Sequence, residues 1–286
     1  MKHKKLIIIA GPTAVGKTSY AIELAQKYNT EIISTDSRQF YRELQIGTAA
    51  PSKEELAAAP HNFIGNLSIH DYYNVSIYEQ EAIARIQQLF ETNDVVIAVG
   101  GSGLYIDALC YGIDQLPDAE PKLRQEIKDK LATYGIEYLQ DEVKRLDPDY
   151  FAKADIMNPK RLQRALEVCI QTGKTYSSQR TERKVKRDFE IEKLVLNMPR
   201  ETLYQRINQR VDLMVEDGLI DEVKSLIAHK NLNALNTVGY KELFQYFDGK
   251  ITLEQAITDI KTHSRRYAKR QITWFKRYND FEWIMK

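Results

Sequence analysis

Lys5-Leu6-Ile7-Ile8-Ile9-Ala10, followed directly by Gly11-Pro12-Thr13-Ala14-Val15-Gly16-Lys17-Thr18, is the stretch that decides the fold. The first six residues form a short β-branched run that reads as a buried strand. The next eight match G-x-x-x-x-G-K-[ST], and Ala21, Leu24, Ala25 and Tyr28 then recur at helical spacing. Strand, glycine-rich loop and helix in that order make a phosphate cradle. Backbone N–H groups of Gly11 to Thr18 wrap a di- or triphosphate at the helix N-terminus, Lys17 neutralises its oxygens, and the Thr18 hydroxyl is placed to ligand Mg²⁺.

Working outward, Thr30-Glu31-Ile32-Ile33-Ser34 reads as a second strand ending in Thr35-Asp36-Ser37-Arg38-Gln39, and Asp94-Val95-Val96-Ile97-Ala98-Val99 as a third ending in Gly100-Gly101-Ser102-Gly103. Short β-rich runs closed by small or polar residues fit a parallel sheet with functional loops at its carboxyl edge. Residues 76–91 carry a helical pattern, and 51–75 read as an irregular connection with a short helix over 53–59. Beyond Pro117 the texture changes to charged helices over 121–134, 135–146 and 158–172, the last with Pro159 in its first turn. A strand over 191–196 rejoins the sheet, and helices follow over 200–217, 220–229, 239–247 and 252–274. The expected architecture is an α/β, P-loop NTPase-like parallel-sheet core (1–113 and 191–286), a helical insertion (114–190), and C-terminal helices packed on the core.

The 286 residues, 43% hydrophobic and 28% charged, suit one large core and a smaller module. Cys110 and Cys169, the only cysteines, each lie in an apolar stretch and read as buried reduced thiols, which excludes a disulfide framework or zinc-finger site. The basic N-terminus precedes an apolar run too short for a signal segment, and no stretch is long enough to span a membrane, so a cytoplasmic protein is expected. The net charge of +1 conceals an asymmetry: residues 153–187 hold ten basic and three acidic residues, and 261–277 hold seven basic and no acidic ones. Two basic blocks on an otherwise acidic chain read as a polyanion footprint or, more plainly, as solvated helix faces.

Asp36 ends the strand that follows the first helix, beside the phosphate loop. There a carboxylate acts as general base or orients a nucleophile, unless it only closes a turn. The strand over 95–99 ends in glycines, so the carboxylate that usually ends such a strand as a metal ligand is missing. The stretch from Thr262 to Arg277 interleaves cations with aromatics and, as a helix, offers phosphate contacts on one face and packing on the other, its aromatics stacking on bases or filling the core, with Trp274 and Phe275 read as core. His61, His229 and His263 have no metal-ligand spacing.

Seven stretches in order, the loop Gly11 to Thr18, Asp36-Ser37, Ile46-Gly47-Thr48-Ala49, Gly100-Gly101-Ser102-Gly103-Leu104-Tyr105, Asn158-Pro159-Lys160-Arg161-Leu162-Gln163-Arg164-Ala165-Leu166-Glu167, Val238-Gly239-Tyr240-Lys241 and Lys269-Arg270-Gln271-Ile272-Thr273-Trp274, closely resemble the isopentenyl-tRNA transferase family of bacterial tRNA dimethylallyltransferases. The resemblance implies transfer of a dimethylallyl group from dimethylallyl diphosphate to the exocyclic amine of the adenosine 3′ of the tRNA anticodon. It gives Lys17, Thr18 and Mg²⁺ the departing pyrophosphate, Thr13 the same channel, Asp36 the amine proton and Arg210 a pyrophosphate contact. By the same resemblance Asp36, Ser37, Arg38, Gln39, Ser102, Arg124, Lys160, Arg161, Leu162, Gln163, Arg164, Asn236, Thr237, Val238, Gly239, Tyr240 and Lys241 contact the anticodon stem-loop of tRNA; separately, a monomer is expected. Ser102 stands where the family usually has Thr, and Asn236-Thr237 departs from the usual residues before Val-Gly-Tyr. The rival readings are a small-molecule P-loop kinase, an adenine-nucleotide isopentenyltransferase and a non-catalytic RNA-binding module. Phosphoryl transfer from ATP would mark the first; the basic blocks argue against the second; Lys17 and Asp36 have no purpose in the third.

Overall fold

The computed structural model describes residues 4–180 and 185–286; Met1, Lys2 and His3, with Glu182, Arg183 and Lys184 of the first basic block, lie outside the described residues. Two compact units emerge, one built from the chain up to Gly112 together with Lys186–Lys286, the other from Ile113–Val185.

In the first unit the order is β1 (Lys5–Ala10), α1 (Lys17–Tyr28), β2 (Ile32–Ser34), α2 (Lys53–Ala58), β3 (His61–Asn62), α3 (Val75–Thr92), β4 (Val95–Gly100) and α4 (Gly103–Tyr111). The second unit contributes α5 (Pro121–Leu146), α6 (Pro148–Phe151), α7 (Pro159–Thr172) and α8 (Tyr176–Gln179). The chain then returns through β5 (Glu190–Asn197), α9 (Arg200–Glu216), α10 (Leu219–Ser225), α11 (Tyr240–Phe247), α12 (Leu253–Phe275) and β6 (Glu282–Met285). The strands form one sheet in the order β3-β2-β4-β1-β5-β6, every pair parallel. β1 is paired on both edges by β4 and β5, and helices cover both its faces, so its continuous Leu-Ile-Ile-Ile run is what such a position requires.

Alternation along β1 divides the core. Leu6, Ile8 and Ala10 pack with Tyr78 and Ile86 of α3, Ile106 and Leu109 of α4, and Phe275 of α12. Ile7 and Ile9 pack on the other face with Ala21 and Ala25 of α1 and Leu203 and Ile207 of α9. A third cluster joins Val211, Leu219, Val223, Tyr240, Leu243 and Ile260 to Tyr41 and Leu44. β6 was not foreseen: of its four residues, Glu-Trp-Ile-Met, the outer two are exposed and the inner two half-buried, and their strand character comes only from pairing with Leu194–Asn197 of β5.

The second unit has its own core of Ile127, Leu139 and Val143 against Leu162, Ala165 and Leu166. Gly135, at φ +75°, bends α5 between the two segments expected from sequence. The buried Asp147 carboxylate accepts from Tyr150 N at 3.0 Å, Ser177 N at 2.6 Å and the Ser177 hydroxyl at 2.7 Å, tying the start of α6 to α8.

The return to the core comes earlier than the expected residue 190, because Arg187 belongs to the first unit. Its guanidinium donates to Glu79 Oε1 at 2.6 Å and to the carbonyls of Ala108 and Leu109 at 2.7 and 2.9 Å, at the C-terminal turn of α4. Arg187 is thus a structural cation rather than part of a polyanion footprint. Both partners of the pair are nearly enclosed, with side-chain exposures of 10% and 11%. Removing one leaves the other buried and unpaired, so Arg187→Met is expected to cost about 3–5 kcal/mol in urea unfolding, and Glu79→Gln in the same chain to recover part of it. An Arg187→Met protein as stable as the parent would show that the pair does not hold α3, α4 and β5 together.

Candidate active site

The phosphate loop closes against α1 through Gly16, which takes φ +93° at the helix N-cap, a conformation that costs glycine little. No side chain caps α1 and no acidic residue lies in its first turn, so its leading N–H groups are directed to whatever occupies the space before them. That space is a cavity of about 270 Å³ within the core unit. Thr13, Ala14, Gly16, Lys17 and Thr18 line it from the loop, Asp36, Arg38 and Gln39 from the end of β2, Arg210 from α9, and Thr237, Val238 and Gly239 from the turn before α11.

Of the other expected phosphate-loop residues, Gly11, Pro12 and Val15 shape the loop from behind. The Val15 side chain is fully buried in the core, a Cβ on Gly11 would meet Leu196 O at 2.5 Å, and Pro12 offers its carbonyl to Lys17 Nζ at 2.7 Å. The Lys17 ammonium is held far below its ordinary pKa, at about 7, by burial first and then by repulsion from Arg210, with Asp36 opposing. Burial likewise raises the Asp36 carboxyl, against the pull of the Arg38 N–H and the Lys17 charge, which makes it a better proton acceptor than an exposed aspartate. Asp36 Oδ1 accepts from Arg38 N at 2.9 Å, an Asx turn that fixes the carboxylate to its own strand end.

Neighbouring loops hold this arrangement. Ser102 Oγ accepts from Ser37 N at 3.0 Å and lies 3.2 Å from Ser37 Oγ. Gln39 Nε2 donates to Thr48 O and Ala49 O at 3.2 and 3.0 Å. The Glu222 carboxylate collects the N–H groups of Gln45, Ile46 and Gly47 at 2.8–3.0 Å, and the Tyr240 hydroxyl at 2.6 Å. Tyr240 is therefore a buried support whose ring leaves no room for a side chain at Gly47, and its expected RNA contact is corrected to a packing role.

The helical unit sorts its candidates similarly. Leu162 is fully buried and is corrected to core. Arg124 Nε pairs with Glu167 Oε1 at 3.1 Å, and Arg164 reaches Glu167 Oε2 at 3.8 Å and Pro117 O at 3.0 Å, while Gln163 donates to Glu167 Oε1 at 2.8 Å. Lys160 and Arg161 are exposed at the start of α7, as are Asn236 and Lys241 in the core unit.

Sequence reading missed several cavity residues. Arg206 lies one turn before Arg210 on α9, and Ile207, Val211, Met214, Leu219 and Ile260 join the expected Val238 in an apolar wall. From α12 come Ser264, Tyr267 and Gln271. Arg206 was legible as the i−4 neighbour of Arg210, and Gln271 as the polar member of an otherwise apolar stripe, Ala256, Ile260, Ala268 and Phe275. A positive, amide-rich end, a carboxylate facing it and an apolar wall together accommodate a small apolar group on a diphosphate beside a nucleophile losing a proton.

The sequence profile described as IPP transferase matches residues 39–278. A tRNA dimethylallyltransferase of Christiangramia forsetii is 52% identical over 98% of this chain and 92% of its own length, and tRNA dimethylallyltransferase 1 of Bacteroides thetaiotaomicron is 50% identical over 98% and 91%. Among solved structures, a full-length tRNA isopentenylpyrophosphate transferase from Bacillus halodurans is 37% identical with a TM-score of 0.72, covering 99% of this chain and 90% of that one. A eukaryotic dimethylallyltransferase captured acting on tRNA is 30% identical with a TM-score of 0.81, covering 99% and 74%. The sheet, the phosphate loop, the lined cavity and these likenesses agree: the chain belongs to the IPP transferase family.

Proposed function

We propose that this tRNA-modifying prenyltransferase moves a dimethylallyl group from dimethylallyl diphosphate to the exocyclic amine of the adenosine 3′ of the anticodon, inside the cavity bounded by Lys17, Asp36 and Arg210. The observation that carries the reading is one cavity with cations and helix N–H groups at one part of its wall, Asp36 at another, and an apolar wall of five side chains from α9, α10 and α12 with Val238 from the turn before α11. The diphosphate binds the loop amides with Lys17, Arg206 and Arg210, and the five-carbon tail rests on Ile207, Val211, Met214 and Leu219. The adenosine leaves the anticodon loop stack to reach the cavity. Its amine nitrogen attacks C1, the C1–O bond breaks, the electron pair leaves with pyrophosphate, and Asp36 accepts the amine proton. The cations stabilise charge growing on the departing oxygens, which is where fixed dipoles and cations accelerate reaction most.

Mg²⁺ fits this donor set. Among the described residues no cluster of three His, Cys, Asp or Glu side chains forms a metal cage, and the cavity offers the Thr18 hydroxyl beside the loop that would hold the diphosphate. Few protein oxygens completed by phosphate and water is how Mg²⁺ is usually held. When bound, it adds charge neutralisation on the phosphate oxygens. A tRNA substrate supports a cytoplasmic site of action, and a cavity lined within one chain supports a monomer.

Incubation with dimethylallyl diphosphate labelled in the prenyl group and unmodified tRNA tests the reading directly. Label is expected in tRNA with release of pyrophosphate; transfer of the ATP γ-phosphate to a small molecule, with none to tRNA, would replace it by the kinase reading. Asp36→Ala is expected to lower turnover by ~10²–10⁴-fold while tRNA binding persists, and near-normal turnover would remove Asp36 from proton transfer.

For the helical unit, the exposed pair Lys160 and Arg161 is the informative target, since truncating Arg164 also disturbs Glu167. Changing both to Ala should flatten the logarithmic salt dependence of tRNA binding by roughly 0.7–0.9 per lost phosphate contact. An unchanged slope in filter binding would make these cations a solvated helix face.

A further inference from the structure

We propose that Gln271 is a positioning residue for the transfer reaction, holding the loop that carries the diphosphate and the loops that carry the proton acceptor at one fixed separation; this rests on the reading of the cavity given above. Gln271 is only 5% exposed, and both ends of its amide are used. Oε1 accepts from Thr13 N at 2.9 Å and Nε2 donates to Gly101 O at 2.9 Å, so a single side chain from α12 joins the loop after β1 to the loop after β4. The fit demands glycine at 101, where a Cβ would overlap the Gln271 amide and approach Gly11 O to 3.2 Å.

From this joint, contacts run in two directions. On the diphosphate side, Thr13 Oγ1 accepts from Arg210 Nη1 at 3.2 Å, so Thr13 is gripped through its main chain by Gln271 and through its side chain by the arginine. On the other side, Gly101 leads to Ser102, whose hydroxyl takes the N–H of Ser37 at 3.0 Å, and Ser37 follows Asp36. Tyr267, one turn before Gln271 on α12, lines the same cavity. The leaving group's cradle and the carboxylate that takes the proton are thereby braced by one helix.

Displacement at C1 needs the attacking nitrogen and the departing oxygen on opposite sides of the carbon, so the separation of the two loops enters the rate directly. A misplacement of about 1 Å costs on the order of 10²-fold in such a step. A residue that sets this separation acts on kcat, whereas one that merely completes a buried hydrogen-bond set acts on stability. The two roles can be told apart in the folded protein.

The experiment compares the full chain with Gln271→Met, which keeps the volume and removes both hydrogen bonds, and Gln271→Glu, which keeps the acceptor for Thr13 N and sets an oxygen against Gly101 O. Phe275→Leu, on the same buried stripe but outside the cavity, serves as the stability control. Transfer to tRNA is measured per folded molecule, alongside the dissociation constants of inorganic pyrophosphate and of tRNA. The expected result is a ~10- to 100-fold fall in kcat for both Gln271 variants, with both dissociation constants within about threefold of the parent, and unchanged kcat per folded molecule for Phe275→Leu. If Gln271→Met fails to fold, Gln271→Glu alone carries the same comparison. Normal kcat in the folded Gln271 variants, or a loss matched by weaker pyrophosphate binding, would overturn the inference while leaving the transfer reading intact. Absence of transfer by the unaltered chain would remove that reading, and the inference with it.

Discussion

The crowding of positive charge into one walled cavity is the constraint around which the rest of this molecule is arranged. Lys17, Arg206 and Arg210 face it together with Arg38 and the open N-terminus of α1, and only Asp36 and Glu55 answer with carboxylates. Burial and the neighbouring Arg210 lower the Lys17 pKa to about 7, and its ammonium leans on its own loop at Pro12 O. Burial and Arg206 pull Arg210 down as well. Such a cluster is unfavourable alone and becomes favourable when a polyanion enters.

The topology explains how so many groups converge. In a parallel sheet the loops after β1, β2 and β4 leave from the same edge, and here they carry Lys17, Asp36 and Ser102 in turn. Helices α9 and α12, coming after the second unit, return the arginines, Tyr267 and Gln271 to that edge. The third cluster, around Tyr240 and Glu222, stiffens the 45–49 loop that forms a further wall. Residues 197 and 258 positions apart thus meet: Thr13 with Arg210, and Thr13 with Gln271.

Sequence carried the parts of this whose cause is local. The strand-loop-helix at 5–28 is specified by consecutive residues, so the phosphate cradle was legible, and so was Asp36 at a strand end. Elements defined by their partners were not. β6 is four residues that become a strand only beside β5, and Arg187 looked like one cation in a basic run until Glu79 and the end of α4 closed around it. Gln271 stood inside a motif dominated by charged and aromatic neighbours, and only the buried stripe of α12 separates it from them. Leu162 and Tyr240 show the converse error. Their stretches carry the family pattern, but the side chains maintain the fold while neighbours such as Lys160, Arg161 and Lys241 face solvent.

A cavity preorganised for a diphosphate, as proposed, should reveal itself in thermal unfolding with inorganic pyrophosphate present. A ligand that binds only the folded core adds about 2.7 kcal/mol of stability at a hundred times its dissociation constant. The midpoint of the core transition should therefore rise steadily with pyrophosphate concentration, and Arg210→Ala should weaken that dependence. A midpoint indifferent to pyrophosphate, or one that rises equally in the Arg210→Ala protein, would mean that the cavity is not built around a diphosphate.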